Sequence, residues 1–393
     1  MDIIEEKIEQ AIGILRELDA DVWMLFVRET AEIADPSFAM VAPAHVVWQS
    51  AIIFSRNGER IAIAGRLDAE IFRRSGLYGE VHFYDQSIVP ELRQVMARLD
   101  PRQIAINYSP SNHTADGLSH GMYLTLCEAL RGTPYVDRLV SAEEIVSRLR
   151  GRKSPGEVQR VRQAIRATEE EFIAVTPLLR RGRTEKDIAD FMHTRLARTD
   201  LQPAWDARSC PIVNAGPCAD SGHAGPLTSK TIEHGQVVHL DFGVRKDGYC
   251  ADLQRLWYVR RPGERRAPGN VQRAFDVVCK AIEAGVKALR PGVPGWQVDA
   301  VARRTIVEAG YPEYPHAFAH QLGRAAHDGG TILGPRWERY GNTPLGLIEV
   351  GNIFTPELSV QTEAGMVGLE ENVLVTEHGC EFLSNPQTEI WYA

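Results

Sequence analysis

Apolar residues recur at helical spacing over residues 4–18, so the chain begins with an amphipathic helix. Residues 22–27 and 46–54 read as strands, and 60–64 as another beyond a turn at Asn57-Gly58. Helical spacing returns over 71–74, 91–99 and 122–130, with a buried strand predicted over 103–107. Strands separated by helices predict a small α/β domain with a mostly parallel or mixed sheet for residues 1–150. The seam falls at residues 149–153. Beyond it Ser154-Pro155-Gly156-Glu157 spells a helix start: Ser154 caps, Pro155 suits the first helical position and Glu157 completes a capping box. That helix runs to about residue 179 and a second covers 185–199. From there β-hairpins dominate, interrupted by helices over 271–289 and 295–310, which predicts an α+β second domain, 151–393.

Two of the hairpins carry carboxylates in pairs. Residues 237–244 form a strand, Arg245-Lys246-Asp247-Gly248 turns it and 249–259 returns. With the turn centred on Lys246-Asp247, Asp241 faces Asp252 on one side of the sheet. Two bare carboxylates ~5 Å apart at an effective dielectric of about 20 repel by ~3 kcal/mol. A buried sheet keeps such a pair only with a proton or a cation between them. The pattern recurs over 351–361 and 366–377, where a turn centred on Glu363-Ala364 sets Glu357 opposite Glu370. One acidic pair is ordinary on a solvated strand. Two pairs in mostly apolar strands predict converging carboxylates, the ligand set of a hard or borderline divalent metal centre, and a dinuclear one.

Between the hairpins lie His316, His320 and His327, a dense group in a chain with 12 histidines. A lone histidine is more often structural; three beside two acidic hairpins read as part of the same centre. Strand alternation turns Glu371 away from Glu370. His239 shares the parity of Asp241 and is expected to support or pack against the site rather than bind metal.

Composition narrows the classes. A chain of 393 residues can bury real cores in two domains. Its 52 acidic against 44 basic residues argue against a phosphate-tracking nucleic-acid binder. No run approaches the ~18 apolar residues of a membrane span, and the start, MDIIEEKIEQ, lacks the organisation of a signal peptide, so a cytoplasmic location is expected. The six cysteines show no CxxC spacing and read as reduced core thiols. Walker A, dinucleotide and HExxH signatures are absent, and Asp220-Ser221-Gly222-His223 lacks the elbow of a serine hydrolase.

The ordered set Asp-x10-Asp on a hairpin, histidine beside glycine, then Glu and Glu resembles the M24 metallopeptidase family of methionine aminopeptidase, aminopeptidase P and prolidase, over about residues 155–393. The preceding stretch resembles the amino-terminal domain of its creatinase/prolidase branch. The resemblance implies an α+β "pita-bread" catalytic domain behind a smaller α/β domain. It implies that Asp241, Asp252, His320, Glu357 and Glu370 hold two divalent ions, expected to be Mn²⁺, with Co²⁺, Fe²⁺ or Zn²⁺ as alternatives. His327 matches a substrate-facing histidine, His316 another from the proline-specific members, and His223 falls near where they place a third. On this pattern hydroxide bridging the metals attacks the amide, Glu357 moves a proton to the leaving nitrogen, and His327 and His316 donate to the carbonyl oxygen.

Three departures bear on the substrate. Asp328-Gly329-Gly330 replaces the usual Glu-x-Pro, Pro356-Glu357-Leu358 replaces the usual Glu-Pro, and Gly368 stands where the proline-specific branch keeps Arg. The expected activity is hydrolysis of a small peptide before proline, as by aminopeptidase P or prolidase. A metal-dependent C–N hydrolase of a small amino-acid derivative, like creatinase or ectoine hydrolase, is the second reading, and a non-catalytic binding protein the third. The resemblance also implies a homodimer.

Overall fold

Strand β1 (Val22–Val27) is buried along its whole length, which requires a sheet covered on both faces. The computed structural model describes residues 3–217 and 225–393 and divides into two compact units, Met1–Arg150 and Gly151–Ala393. In the first, β1 joins β2 (Ser50–Ser55), β3 (Arg60–Gly65), β4 (Glu80–Tyr84), β5 (Ile104–Ile106) and β6 (Leu139–Ser141) in the order β4-β3-β2-β1-β5-β6. The two hairpin pairings are antiparallel and the other three parallel, so the sheet is mixed, as the pattern predicts.

Alternation divides its side chains between two cores. Trp23, Leu25 and Val27 meet Ile8, Ile12 and Leu15 of α1 (Ile3–Glu17). Val22, Met24 and Phe26 share the opposite core with Leu92 and Met96 of α4 (Val89–Leu99) and Leu126 of α5 (His120–Ala129). The short α2 (Phe38–Val41), α3 (Arg66–Ser75) and α6 (Glu143–Gly151) complete the helices. Residues 46–49 were expected to begin β2 but lie outside it: the Asp68 carboxylate accepts the backbone N–H groups of Val47 and Trp48, diverting them from a ladder.

In the second unit α7 (Pro155–Val175) starts on the expected capping box, Ser154 and Glu157 exchanging side-chain-to-backbone bonds. Helices α8 (Glu185–Arg198), α9 (Gly269–Ala288) and α10 (Gly295–Glu308) follow the predicted pattern closely. The small strand β7 (Gln202–Pro203) precedes the main sheet, which contains β8 (Ile212–Ala215), β9 (Val237–Phe242) and β12 (Leu253–Tyr258). Between β9 and β12 lie β10 (Val244–Lys246) and β11 (Tyr249–Cys250), which pair with each other and β7 in a separate sheet. Strand β13 (Ile353–Phe354) leads to the hairpin β14 (Glu357–Thr362) and β15 (Gly365–Glu370); β16 (Val373–Thr376), β17 (Gly379–Phe382) and β18 (Trp391–Tyr392) end the chain. The main order is β14-β15-β12-β9-β8.

The long strands expected here are each broken. The first pair breaks at Gly243 and at Ala251-Asp252; a Cβ on Gly243 would lie 1.9 Å from the Ala251 carbonyl oxygen, so only glycine fits. The second pair breaks at Thr355-Pro356 and at Glu371-Asn372. The first hairpin also corrects the predicted register. Its turn is Asp247-Gly248, with φ of 48° and 79°, and Lys246 faces Tyr249. Asp-Gly favours this left-handed two-residue turn, which shifts the pairing by two residues. Asp241 therefore faces Gln254, with Asp252 nearer the turn but of the same parity. In the second hairpin Glu357 faces Glu370 directly, as predicted.

Leu358, Val360, Val367 and Leu369 turn one face of β14–β15 into a core with Phe275 and Val278 of α9 and Ala302 and Ile306 of α10. Arg255 and Glu371 are buried as an ion pair at 3.0 Å, with Ser384 and Gln387 also donating to the carboxylate. Glu371 thus turns away from Glu370, as alternation requires. Arg255→Met would strand that carboxylate. We expect a loss of roughly 3–5 kcal/mol in urea unfolding, largely recovered in Arg255→Met/Glu371→Gln. An unchanged midpoint in the single variant would contradict this.

Candidate metal centre

Sheet register aligns the acidic groups. Asp241 on β9, Gln254 on β12, Glu370 on β15 and Glu357 on β14 are successive cross-strand neighbours, forming one row across the face opposite the α9 core. Asp252 enters from the break before β12. Asn372 holds its backbone there, its Nδ2 donating to the Asp252 carbonyl at 2.6 Å and its Oδ1 accepting from the Asp252 N–H at 3.4 Å. His320 comes from the segment preceding Gln321, which bridges to Phe354. Thr355 N–H donates to the His320 carbonyl and Glu357 N–H to that of Phe318, tying histidine and glutamate together.

His320 Nε2 lies 3.8 Å from Asp252 Oδ2, 3.8 Å from Glu370 Oε1 and 4.0 Å from Glu357 Oε1. These separations exceed a hydrogen bond and suit atoms arranged around a shared cation. Ligand atoms of Asp252, His320 and Glu370 all lie within 4.8 Å of one another; Asp241 is close enough for its charge to raise the Asp252 carboxyl. Glu370 Oε1 and Asp241 Oδ1 are buried without a hydrogen-bond partner. A folded protein rarely leaves a carboxylate oxygen so. An all-oxygen set with one imidazole and two orphaned oxygens fits a divalent metal centre.

Electrostatics point the same way. Burial pushes the Asp241 carboxyl up to about 8, with the Glu357 charge adding to the effect. Glu357 rises to about 7, again through burial. Asp252 and Glu370 stand well above the usual carboxylate range, through burial first and neighbouring carboxylates second. Burial, then His327, lowers His320 to about 3, leaving the neutral imidazole that can bind metal.

The other histidines divide. The His327 ring packs edge-on against His320 with centroids 4.2 Å apart. His316 is held through its carbonyl, which accepts from Arg303, itself paired with the buried Asp299 of α10. Asp299 also accepts the Phe318 N–H, so one buried ion pair sets the loop carrying His316 and His320. His239 lies beneath the row, bonded to Gln254 at 3.0 Å. His223 and Cys218 fall outside the described residues; the other cysteines are free thiols. Asp328, next to His327, pairs at 3.1 Å with Lys153, both side chains buried. Sequence reasoning missed Gln254 and Asn372. Gln254 shares the parity of Asp252, a signal hidden by the misplaced turn, whereas Asn372 acts through a long-range backbone contact that no local pattern reveals.

The family model for Metallopeptidase family M24 matches residues 159–377, a span containing Asp241, Asp252, His320, Glu357 and Glu370. An uncharacterized peptidase of Staphylococcus saprophyticus is 27% identical over 389 residues, covering 96% of this chain and 99% of that protein. An Xaa-Pro dipeptidase of Pyrococcus furiosus is 24% identical over 313 residues, 77% of this chain and 85% of its own length. Among solved structures, an Xaa-Pro dipeptidase from Bacillus anthracis aligns with a TM-score of 0.76 at 22% identity, covering 99% of this chain and 100% of that one. The fold is thus the α+β architecture of those enzymes.

The raised carboxyls make the metal-free protein sensitive to pH. Folded, it retains protons that the unfolded chain has already released, so this stabilisation is lost as pH rises through about 7 to 8. The buried histidines, lowered by the fold, are mostly neutral in both states above about pH 7 and do not oppose the trend. Calorimetry of chelated protein should show Tm falling between about pH 6.5 and 8.5, with added Mn²⁺ restoring most at the alkaline end. A flat Tm in chelator over that window would contradict the assignment.

Proposed function

Because this chain belongs to metallopeptidase family M24, we propose that it is a metal-dependent hydrolase cleaving the amide bond before proline in small Xaa-Pro peptides, as aminopeptidase P or prolidase does. The observation that carries the reading is the set of Asp252, Glu357 and Glu370 carboxylate oxygens around His320 Nε2, with Glu370 Oε1 and Asp241 Oδ1 buried and unpartnered. Asp241, Asp252, His320, Glu357 and Glu370 would hold two divalent cations, with Mn²⁺ our assignment and Co²⁺, Fe²⁺ or Zn²⁺ the alternatives. Bound there, the cations supply an activated water near neutral pH and polarise the scissile carbonyl.

The chain's own groups do the rest. The Glu357 side chain is 23% exposed, against 8% for Asp252 and 2% for Glu370, so of these three it is the one that water and substrate can best reach. That access suits it to take a proton from the attacking water and deliver it to the leaving nitrogen. His327 and His316 are assigned to hydrogen-bond the substrate oxygen, and His223 is retained as a third substrate-facing histidine. The Xaa-Pro dipeptidases among its relatives support the substrate class.

Asp328 favours a second reading. Its carboxylate turns to buried Lys153 rather than serving a substrate amine, and Gly368 offers no side chain where proline-specific members have arginine. A small non-peptide amino-acid derivative is therefore the alternative substrate. The proposal further takes residues 151–393 as catalytic domain, 1–150 as the amino-terminal domain, and the assembly as a cytoplasmic homodimer. Among the described residues no helix is long and apolar enough to cross a membrane.

The test is hydrolysis of Xaa-Pro dipeptides, Xaa-Pro-Xaa tripeptides, creatine and cyclic amidines by chelated and Mn²⁺-reconstituted protein. Cleavage before proline, only with metal, is expected; inert dipeptides and tripeptides with Mn²⁺ present would defeat the peptidase reading. In the reconstituted enzyme, His327→Ala should lower kcat roughly 10²–10³-fold with metal content unchanged. A kcat equal to that of the parent would remove His327 from the chemistry.

A further inference from the structure

One polar chain on the site face has no part in ligation. Asn214 on β8, His239 on β9 and Gln254 on β12 are all more than nine-tenths buried. Asn214 Nδ2 lies 3.4 Å from His239 Nδ1, His239 Nε2 lies 3.0 Å from Gln254 Oε1, and Gln254 Nε2 donates to Glu357 Oε2 at 2.8 Å. The directions are mutually determined. Ionised, as it must be to hold a cation, the Glu357 carboxylate only accepts, so the Gln254 amide nitrogen faces Glu357 and its oxygen faces His239. His239 then carries its proton on Nε2 and presents Nδ1 as the acceptor for Asn214. Each group donates towards Glu357.

The gap that lets this chain pass is equally specific. Strand β15 lies between the strands of Gln254 and Glu357 and pairs with both through Glu370; Gly368, two residues earlier on the same face, pairs with Ser359. A Cβ on Gly368 would sit 3.0 Å from His239 Nε2 and 3.3 Å from Gln254 Oε1. Gly368 thus keeps open the space in which the histidine and the amide meet.

Resting on the metal-centre reading above, we propose that Asn214, His239 and Gln254 form a one-way hydrogen-bond relay that holds Glu357 by Oε2 and leaves Oε1 directed towards His320. Gln254 and His239 are then positioning residues: they fix the carboxylate that combines metal binding with proton transfer, and Gly368 permits them to do so. This explains a buried amide in a row otherwise devoted to carboxylates, and the buried histidine bonded to it.

The experiment titrates the chelated full-length protein with Mn²⁺ by calorimetry and measures kcat and KM on an Xaa-Pro dipeptide. Gln254→Leu should weaken Mn²⁺ binding roughly ten- to hundredfold and lower kcat more than it raises KM. His239→Leu should weaken binding too, but add nothing in the Gln254→Leu background, because it acts only through the amide. Gly368→Ala, a single added methyl, should reproduce the loss with the fold retained, guarding against a collapsed Gln254 variant. Parent-like Mn²⁺ affinity in both Gln254→Leu and Gly368→Ala, or a His239→Leu effect that persists without Gln254, would overturn the relay while leaving the metal centre intact. A parent protein that takes up no Mn²⁺ would instead overturn the metal reading and the relay with it.

Discussion

Four carboxylates brought together with most of their hydration removed constrain everything around them. Asp241, Asp252, Glu357 and Glu370 each lose hydration, and neighbouring carboxylate charge further raises the cost of ionising Asp241, Asp252 and Glu370. Such a group is an expense in the metal-free chain and an asset once positive charge is available. The hairpin registers, the breaks flanking β12, the clasp of Asn372 on Asp252 and the tie between the segments of His320 and Glu357 keep these groups from relaxing apart. The sheet therefore has two tasks. One face of β14–β15 supplies stability through apolar packing on α9 and α10, and the opposite face holds an arrangement that is unstable by itself.

Buried ion pairs mark where that rigidity enters. Arg303–Asp299 sets the loop of His316 and His320 from beneath. Lys153–Asp328 anchors the residue after His327, and Arg255 reaches the Glu370 carbonyl while neutralising Glu371. Pairs of this kind contribute little net stability against an apolar replacement, but breaking one is costly. Placed next to site residues, they fix positions to the fraction of an ångström that a shared cation demands.

How much was legible in the sequence depended on the range of the interaction. The helices of the second unit were readable because capping and periodicity are local, as Ser154 and Glu157 show. The pairing of Glu357 with Glu370 followed from a turn whose centre was correctly placed. A turn centred on Lys246-Asp247 puts the first hairpin two residues out of register; Asp247-Gly248 is the stronger signal for a left-handed turn and the one the backbone adopts. Parity survived the error, so Asp241 and Asp252 still share a face, while Gln254 took the place assigned to Asp252. The strand breaks were not foreseen: they depend on close backbone approach, such as Gly243 against Ala251, rather than on side-chain pattern. Strands β4 and β6 are hard to read because they are short and partly exposed.

Whether the row of carboxylates and His320 binds cations is decided by diffraction from crystals grown with Mn²⁺, recorded at the manganese absorption edge. Two anomalous peaks are expected, each within bonding distance of side-chain atoms from the group Asp241, Asp252, His320, Glu357 and Glu370. A clean map there, with the carboxylates hydrogen-bonded to water or to one another at full Mn²⁺ loading, would contradict it.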